Sequence, residues 1–313
     1  MASDTLTATA ALNTRAAVTI DSPRRRRSTF VNGDRVHRGW MVLVTAVMVI
    51  VAAYFLIPVL WLVIASTKST GDLFSTPGFA FADWHLWENL AALSSYAGGI
   101  FWRWSLNSII YSVIGSAFTT LVCAVTGYAL AVYRFRGRST LVAVILGSLL
   151  VPGTVIAQPT YVLLVGMGLN NTYLGLLLPA LVYPFGVLLC FIYAQSSVPH
   201  ELIEAARLDG AGEFRIFGTI GLRLMSTGMV TVLLFAFLGS WNSYILPLLV
   251  LTDSSLMPLT VGLTGWSQAS ITIPGLQILT VVGSLVSVIP IAIVFLSLQR
   301  FWRAGLTAGS VRG

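Results

Sequence analysis

Charge is what this chain has least of. Only 9% of its 313 residues are charged, against 56% hydrophobic, and the mean hydropathy is +0.86. A soluble globular domain carries about 25% charged residues, so that class is excluded. Lysine is almost missing: Lys68 stands alone beside 17 arginines, a balance we read as composition bias rather than chemistry. Cysteine is scarce too. Cys123 and Cys190 both fall inside apolar runs, with no CxxC pair and no histidine nearby, and read as packed small hydrophobes. The chain has no GxxxxGKS/T phosphate loop, no GxSxG elbow and no HExxH pair, and His37, His85 and His200 lie far apart in loops or tails. It therefore lacks the equipment to hydrolyse ATP itself, and a hydrolase or metalloenzyme finds no support. An integral-membrane enzyme would also need polar residues clustered at one membrane face, whereas Asp72, Asp83, Glu88 and Asp253 are scattered.

What is present is apolar sequence. Runs at about 41–65, 105–132, 139–165, 173–195, 225–251 and 276–299 are each long enough for the roughly 20 residues a bilayer-crossing helix needs. None contains Asp, Glu, Lys, Arg or His. The expected fold is all-α, a polytopic membrane protein of six spans. Sorting the basic residues by alternate loops puts sixteen on one side and only Lys68 and Arg103 on the other. The positive-inside rule then places both termini in the cytoplasm. By the same sorting the cytoplasmic face holds seven acids and the outer face four.

Charge-free spans bear on mechanism. An ionised group at the bilayer centre costs about 2.5–3.5 kcal/mol on insertion scales and is kept mainly where function needs it. Proton coupling through this chain is thus disfavoured, and a neutral or weakly charged solute is favoured. Sodium coupling through carbonyls and hydroxyls stays open. Seven prolines (Pro58, Pro152, Pro159, Pro179, Pro184, Pro247 and Pro290) fall within spans. Each removes a helical hydrogen bond and kinks its helix, as suits a protein that rearranges around a pathway, though proline is also commoner in membrane helices generally.

Between the spans, residues 1–38 form a polar tail with the run Arg24-Arg25-Arg26-Arg27 and no apolar h-region near Met1. It reads as a disordered cytoplasmic tail or as a grip on anionic lipid headgroups. The first span and an outward loop fill 39–103; the loop is rich in Trp84, Trp87 and Trp102, with Trp104 directly after it, and aromatic residues of this kind often mark a membrane–water interface. The remaining spans occupy 104–299 and a short cytoplasmic tail 300–313. Residues 252–275 read as a polar, flexible loop able to reach an external partner.

One cytoplasmic loop, about 198–222, stands apart. Pro199 can open a helix, with Glu201 in its first turn, favourable against the helix dipole. Glu201, Glu204 and Arg207 make a polar face, with Leu202, Ile203 and Ala206 opposite. Gly210 ends the helix, and a second short helix presents Phe214, Phe217 and Ile220 on one side. Periodicity alone describes an amphipathic interfacial hairpin.

The residues say more. Glu204-Ala205-Ala206-x-x-Asp209-Gly210-Ala211, followed by Phe217 and Ile220, resembles the "EAA" coupling motif of ABC-importer permeases. Arg223, where the family usually has proline, and Gly212, where serine is common, depart from it. The resemblance runs from about Trp40 to the end. Asn107-Ser108, Gly127-Tyr128-Ala129-Leu130, Val151-Pro152-Gly153, Pro159-x-Tyr161, Trp241-Asn242-Ser243-Tyr244 and the ending from Gln299 to Gly309 are similar to the smaller, six-span permease of the carbohydrate (maltose/trehalose/glycerol-phosphate) branch. It implies a type I ABC-importer permease of a bacterial inner membrane, carrying sugars and docking through Glu201, Glu204, Ala205, Ala206, Asp209, Gly210, Ala211, Phe214 and Phe217 on a separate ATPase. It also implies a heterodimeric partner permease, two ATPase copies that bind ATP and Mg, and an extracytoplasmic solute-binding protein. No cofactor, metal or nucleic acid is expected on this chain. Tyr161, Tyr183, Trp241, Asn242 and Tyr244 join flat rings to hydrogen-bonding groups and are candidates for the sugar path, with helix packing as their other reading. The competing class is an ion-coupled secondary transporter, in which inverted repeats are common; no convincing repeat is seen. The length of the basic tail is not explained by the family.

Overall fold

The computed structural model describes residues 33–309, with side chains described for 39–299 and 301. The polybasic run and residues 310–313 lie outside the described residues. Among those described, every regular element is helical. They divide into two units, one ending at Leu56 and one beginning at Ile57.

The first unit is carried by α1 (Gly33–Ser66), which continues past it and has Pro58 inside. It begins within the stretch read as tail. From Trp40 to Phe55 its apolar side chains are exposed, the condition of a helix whose solvent is lipid rather than water.

The second unit follows with the one-turn helix α2 (Asp72–Ser75), α3 (Leu86–Ser95) and the long α4 (Ile100–Val132). The third apolar run is then split into α5 (Arg138–Ser148) and α6 (Gly153–Gly166), bent by 105°. Pro152 sits in the break with extended backbone; it has no N–H to give and restricts the residue before it. The run at 139–165, expected as one span kinked by its prolines, is thus two helices meeting at a sharp break. Next come α7 (Tyr173–Ala180) and α8 (Pro184–Ser197), then the loop helices α9 (His200–Leu208), α10 (Glu213–Ile216) and α11 (Leu222–Leu224). Of the fifth run, α12 (Ser226–Trp241) and α13 (Ile245–Val250) are separate helices. The chain ends in α14 (Leu259–Ala269) and α15 (Leu276–Gly309), the latter running through most of the expected C-terminal tail. Among the described residues four helical stretches are long and apolar enough to cross a membrane, six if each of two bent pairs is one span.

The buried axis is α4. Small and hydroxylated residues dominate its buried face, among them Ser108, Ser112, Gly115, Ser116, Thr119, Cys123 and Gly127, the composition that lets membrane helices approach closely. At Gly127 a Cβ would stand 2.5 Å from Cys190 Cβ and 2.6 Å from the Phe191 backbone nitrogen, so α4 and α8 meet through bare backbone. One core cluster gathers Cys123, Tyr128, Cys190, Ile203, Ile216 and Met225 around this contact; another gathers Phe101, Trp104, Phe237, Trp241 and Trp266.

Residues 252–275 are not the flexible loop expected. They form a 3-10 turn (Ser254–Leu256) and α14, bolted to the start of α4. Trp104 Nε1 donates to Ser254 O at 2.8 Å, and Asn107 Nδ2 donates to Ser255 O at 2.8 Å and Met257 O at 3.0 Å. Tyr111 Oη donates to Leu256 O at 3.0 Å, and Ser108 Oγ accepts from Leu259 N at 2.7 Å. Asn171, in the tight turn before α7, adds its Oδ1 as acceptor for the Thr252 and Asp253 amides. Buried backbone must find partners; here α4 supplies them.

Candidate coupling loop and transmembrane cavity

The loop folds as its residue types dictate. α9 has Glu201 in its first turn and Arg207 in its last, both favourable to its dipole. It is closed by a Schellman turn: Ala211 N bonds Ala206 O and Gly210 N bonds Arg207 O, each at 3.0 Å, with Gly210 at φ +80°. Ala206 and Ala211 both pack against the core cluster that holds Ile203 and Ile216. Small residues there bring the turn close to the bundle, and glycine supplies the left-handed backbone.

What faces outward is distinctive. Glu201, Glu204, Ala205 and Asp209 are exposed, and beside them in sequence Leu208 is 89% and Phe214 95% exposed. Leu202 is exposed as well, so only Ile203 and Ala206 of the expected apolar face turn inward. Phe214, Phe217 and Ile220 likewise do not share a side. Phe217 packs on Tyr128 with ring centres 5.1 Å apart, and Ile220 joins the same cluster. Phe214 lies two residues before the fully buried Ile216, about 200° around a helix from it, and points away.

An ion pair that the sequence reading passed over locks the two halves of the loop. Arg207 Nε donates to Glu213 Oε1 at 2.7 Å, and Tyr133 Oη donates to Glu213 Oε2 at 2.6 Å, tying the loop to the end of α4. The Arg207 guanidinium, and then the Tyr133 hydroxyl, hold the Glu213 carboxyl below its ordinary value. The available signal was opposite charge on either side of the Gly210 reversal.

In the spans, a cavity of about 270 Å³ opens between α4, α7, α12 and α13. Tyr111, Thr119, Tyr183, Gly239, Ser240 and Ser243 are among its lining. Of the five candidate path residues, only Tyr183 reaches it. Trp241 is buried and stacked on Phe237 at 5.8 Å. Asn242 turns back to donate to Leu238 O at 2.9 Å, Tyr161 packs beside Leu164 and Leu176, and Tyr244 precedes α13. Missed in sequence were Gly239, Ser240 and Ser243, whose helical spacing with Phe235 and Ala236 puts small and hydroxylated positions on one face.

Comparison with known proteins bears on this arrangement. The family described as "Binding-protein-dependent transport system inner membrane component" matches residues 123–306, more than half of the chain. The chain belongs to this family. The permease protein AraQ of an arabinooligosaccharides transport system in Halalkalibacterium halodurans is 36% identical over 218 residues, covering 69% of this chain and 76% of the relative. The permease protein NgcG of a diacetylchitobiose uptake system in Streptomyces coelicolor is 31% identical over 268 residues, covering 85% and 87%. A crystal structure of a bacterial ABC transporter involved in the import of the acidic polysaccharide alginate superposes with a TM-score of 0.72 at 23% identity, over 85% of this chain and 97% of that one. At that identity the likeness speaks for the fold, which is that of a type I ABC-importer permease. Family membership also decides between the readings left open above: this permease is a component of a binding-protein-dependent importer, not an ion-coupled carrier.

Proposed function

We propose that this permease is one pore-forming subunit of an ATP-driven importer of sugars, of the oligosaccharide, disaccharide or glycerol-phosphate kind carried by its relatives. The observation that carries the proposal is the coupling loop. It is a rigid, Schellman-closed turn that leaves Leu208 and Phe214 almost wholly exposed beside Glu204 and Asp209. Large apolar side chains left in water beside a fixed set of acids describe a docking surface awaiting a partner. In this reading the partner is a separate ATPase. It holds the ATP and Mg, while this chain binds no cofactor and catalyses nothing itself.

A second permease, two ATPase copies and an extracytoplasmic binding protein complete the assembly, with both termini of this chain in the cytoplasm. Closure of the ATPases pushes on the loop, Glu213 and Tyr133 pass the movement to α4, and α4 lines the cavity through Tyr111 and Thr119. Alternating access is then driven from the neighbouring chain. Hydroxyls of Ser240 and Ser243 and the ring of Tyr183 suit a sugar passing through.

The test is purification of the tagged permease with its co-assembling subunits, followed by reconstitution. Uptake of a sugar in vesicles should require ATP on the loop side and the binding protein on the other. Uptake driven by a sodium gradient without an ATPase would overturn the proposal.

A further inference from the structure

The chain's only lysine is buried. Lys68, just past the end of α1, is 1% exposed, and among the described residues no carboxylate pairs with it; its Nζ donates to Thr76 Oγ1 and to Pro77 O, each at 2.8 Å. Burying an ammonium is costly unless its hydrogen bonds are met, so the arrangement holds residues 69–77 firmly against the end of the helix. Asn89 closes the other side, donating to Ser66 O and Lys68 O at 2.9 Å each, and the His85 amide bonds Thr67 O at 2.8 Å.

The consequence is a loop that folds back along α1. A Cβ on Gly78 would lie 3.2 Å from Trp61 Nε1. Trp61 precedes the helix end at Ser66 by five residues, about 7 Å of rise, and its side chain leans further toward the N-terminus. The backbone at 77–79 therefore sits inside the end of a hydrophobic span rather than beyond it. At and around that level the loop displays Phe74, Phe79 and Phe81, which are 67%, 57% and 62% exposed. Rings more than half exposed, mounted on a frame drawn back to the level of a spanning helix, suit the headgroup and upper acyl region of a bilayer, where aromatic side chains are favoured.

We infer that Phe74, Phe79 and Phe81 form a lipid-facing collar in the leaflet at the Ser66 end of α1, held at that depth by Lys68. The occupant is membrane lipid, and the collar fixes how deeply the first span and the following loop sit. The inference needs only that α1 spans the membrane; it stands whether or not the transported solute is a sugar.

The two native cysteines are fully buried, so a Phe79→Cys variant of the full chain, in complex with its co-purifying subunits, can be labelled with an environment-sensitive fluorophore, the wild type serving as background. In vesicles, the label should be quenched by phospholipids spin-labelled near the headgroup more than by those labelled at the middle of the acyl chain. It should be shielded from iodide present on both sides. Combining the label with Lys68→Met should lower the lipid quenching and raise the iodide quenching. A label quenched by iodide and not by lipid would overturn the inference, placing the loop in water. A label reached by neither quencher would also overturn it, placing a protein partner over the rings.

Discussion

Replacing Gly210 separates two ways in which the coupling loop could depend on it. Its φ of +80° lies in the left-handed region, and a Cβ there would meet nothing within 4 Å of this chain. The cost of a side chain is therefore conformational, about 1–2 kcal/mol for a residue with a Cβ. That corresponds to roughly 5–30-fold in the population of the closed turn. The Ala211 to Ala206 and Gly210 to Arg207 bonds break with it, and the exposed acids lose their fixed arrangement. In reconstituted vesicles with ATP hydrolysis and solute uptake measured in the same sample, Gly210→Ala is expected to lower the uptake obtained per ATP. Gly210→Val should lower it further, because a β-branched residue is a worse fit to this backbone. Gly210→Asn should recover much of the loss, since asparagine visits the left-handed region readily. Equal damage from Ala and Asn would refute the backbone argument and put the penalty in a collision with the docked partner.

Other outcomes follow from the same geometry. Gly127→Ala forces α4 and α8 apart at a backbone contact, at about 1–3 kcal/mol; thermal unfolding followed by a thiol dye reaching Cys123 and Cys190 should shift to lower temperature, while Gly239→Ala, with open space around its Cβ, should not shift it. Gly239→Leu fills the cavity from α12 and should abolish uptake while leaving that unfolding temperature near wild type; unchanged uptake would remove the cavity from the path. The depressed Glu213 pKa means that its stabilisation of the loop is complete above the ordinary glutamate value of 4.5 and is lost as pH falls through the lower folded value. Protection of the 205–216 amides, taken relative to their intrinsic exchange rates at each pH, should therefore fall on acidification, and Glu213→Gln should remove that fall.

Local pattern determined much of this protein. Apolar runs free of charge name the spans, the arginine asymmetry argues their orientation, and the Glu204-to-Ala211 run predicts a helix, a glycine reversal and small residues facing the bundle. Each of these is a short-range consequence of residue type, so it can be read along the chain. Tertiary structure decided the rest. Pro152 was visible as a kink, but a bend of 105° rather than a slight one depends on what packs around it. Residues 254–259 look free in sequence because their hydrogen-bond partners, Trp104, Asn107, Ser108 and Tyr111, lie some 150 positions away. Trp241 and Tyr183 look alike as sugar-binding candidates, yet Trp241 lies at the end of α12 buried against Phe237, and Tyr183, in the break before α8, faces the cavity. The pairing of Lys68 with Thr76 and Pro77 shows the same division. Composition marks that residue as unique, and only the folded loop, by satisfying its ammonium with a hydroxyl and a carbonyl, makes it a clasp instead of a surface charge.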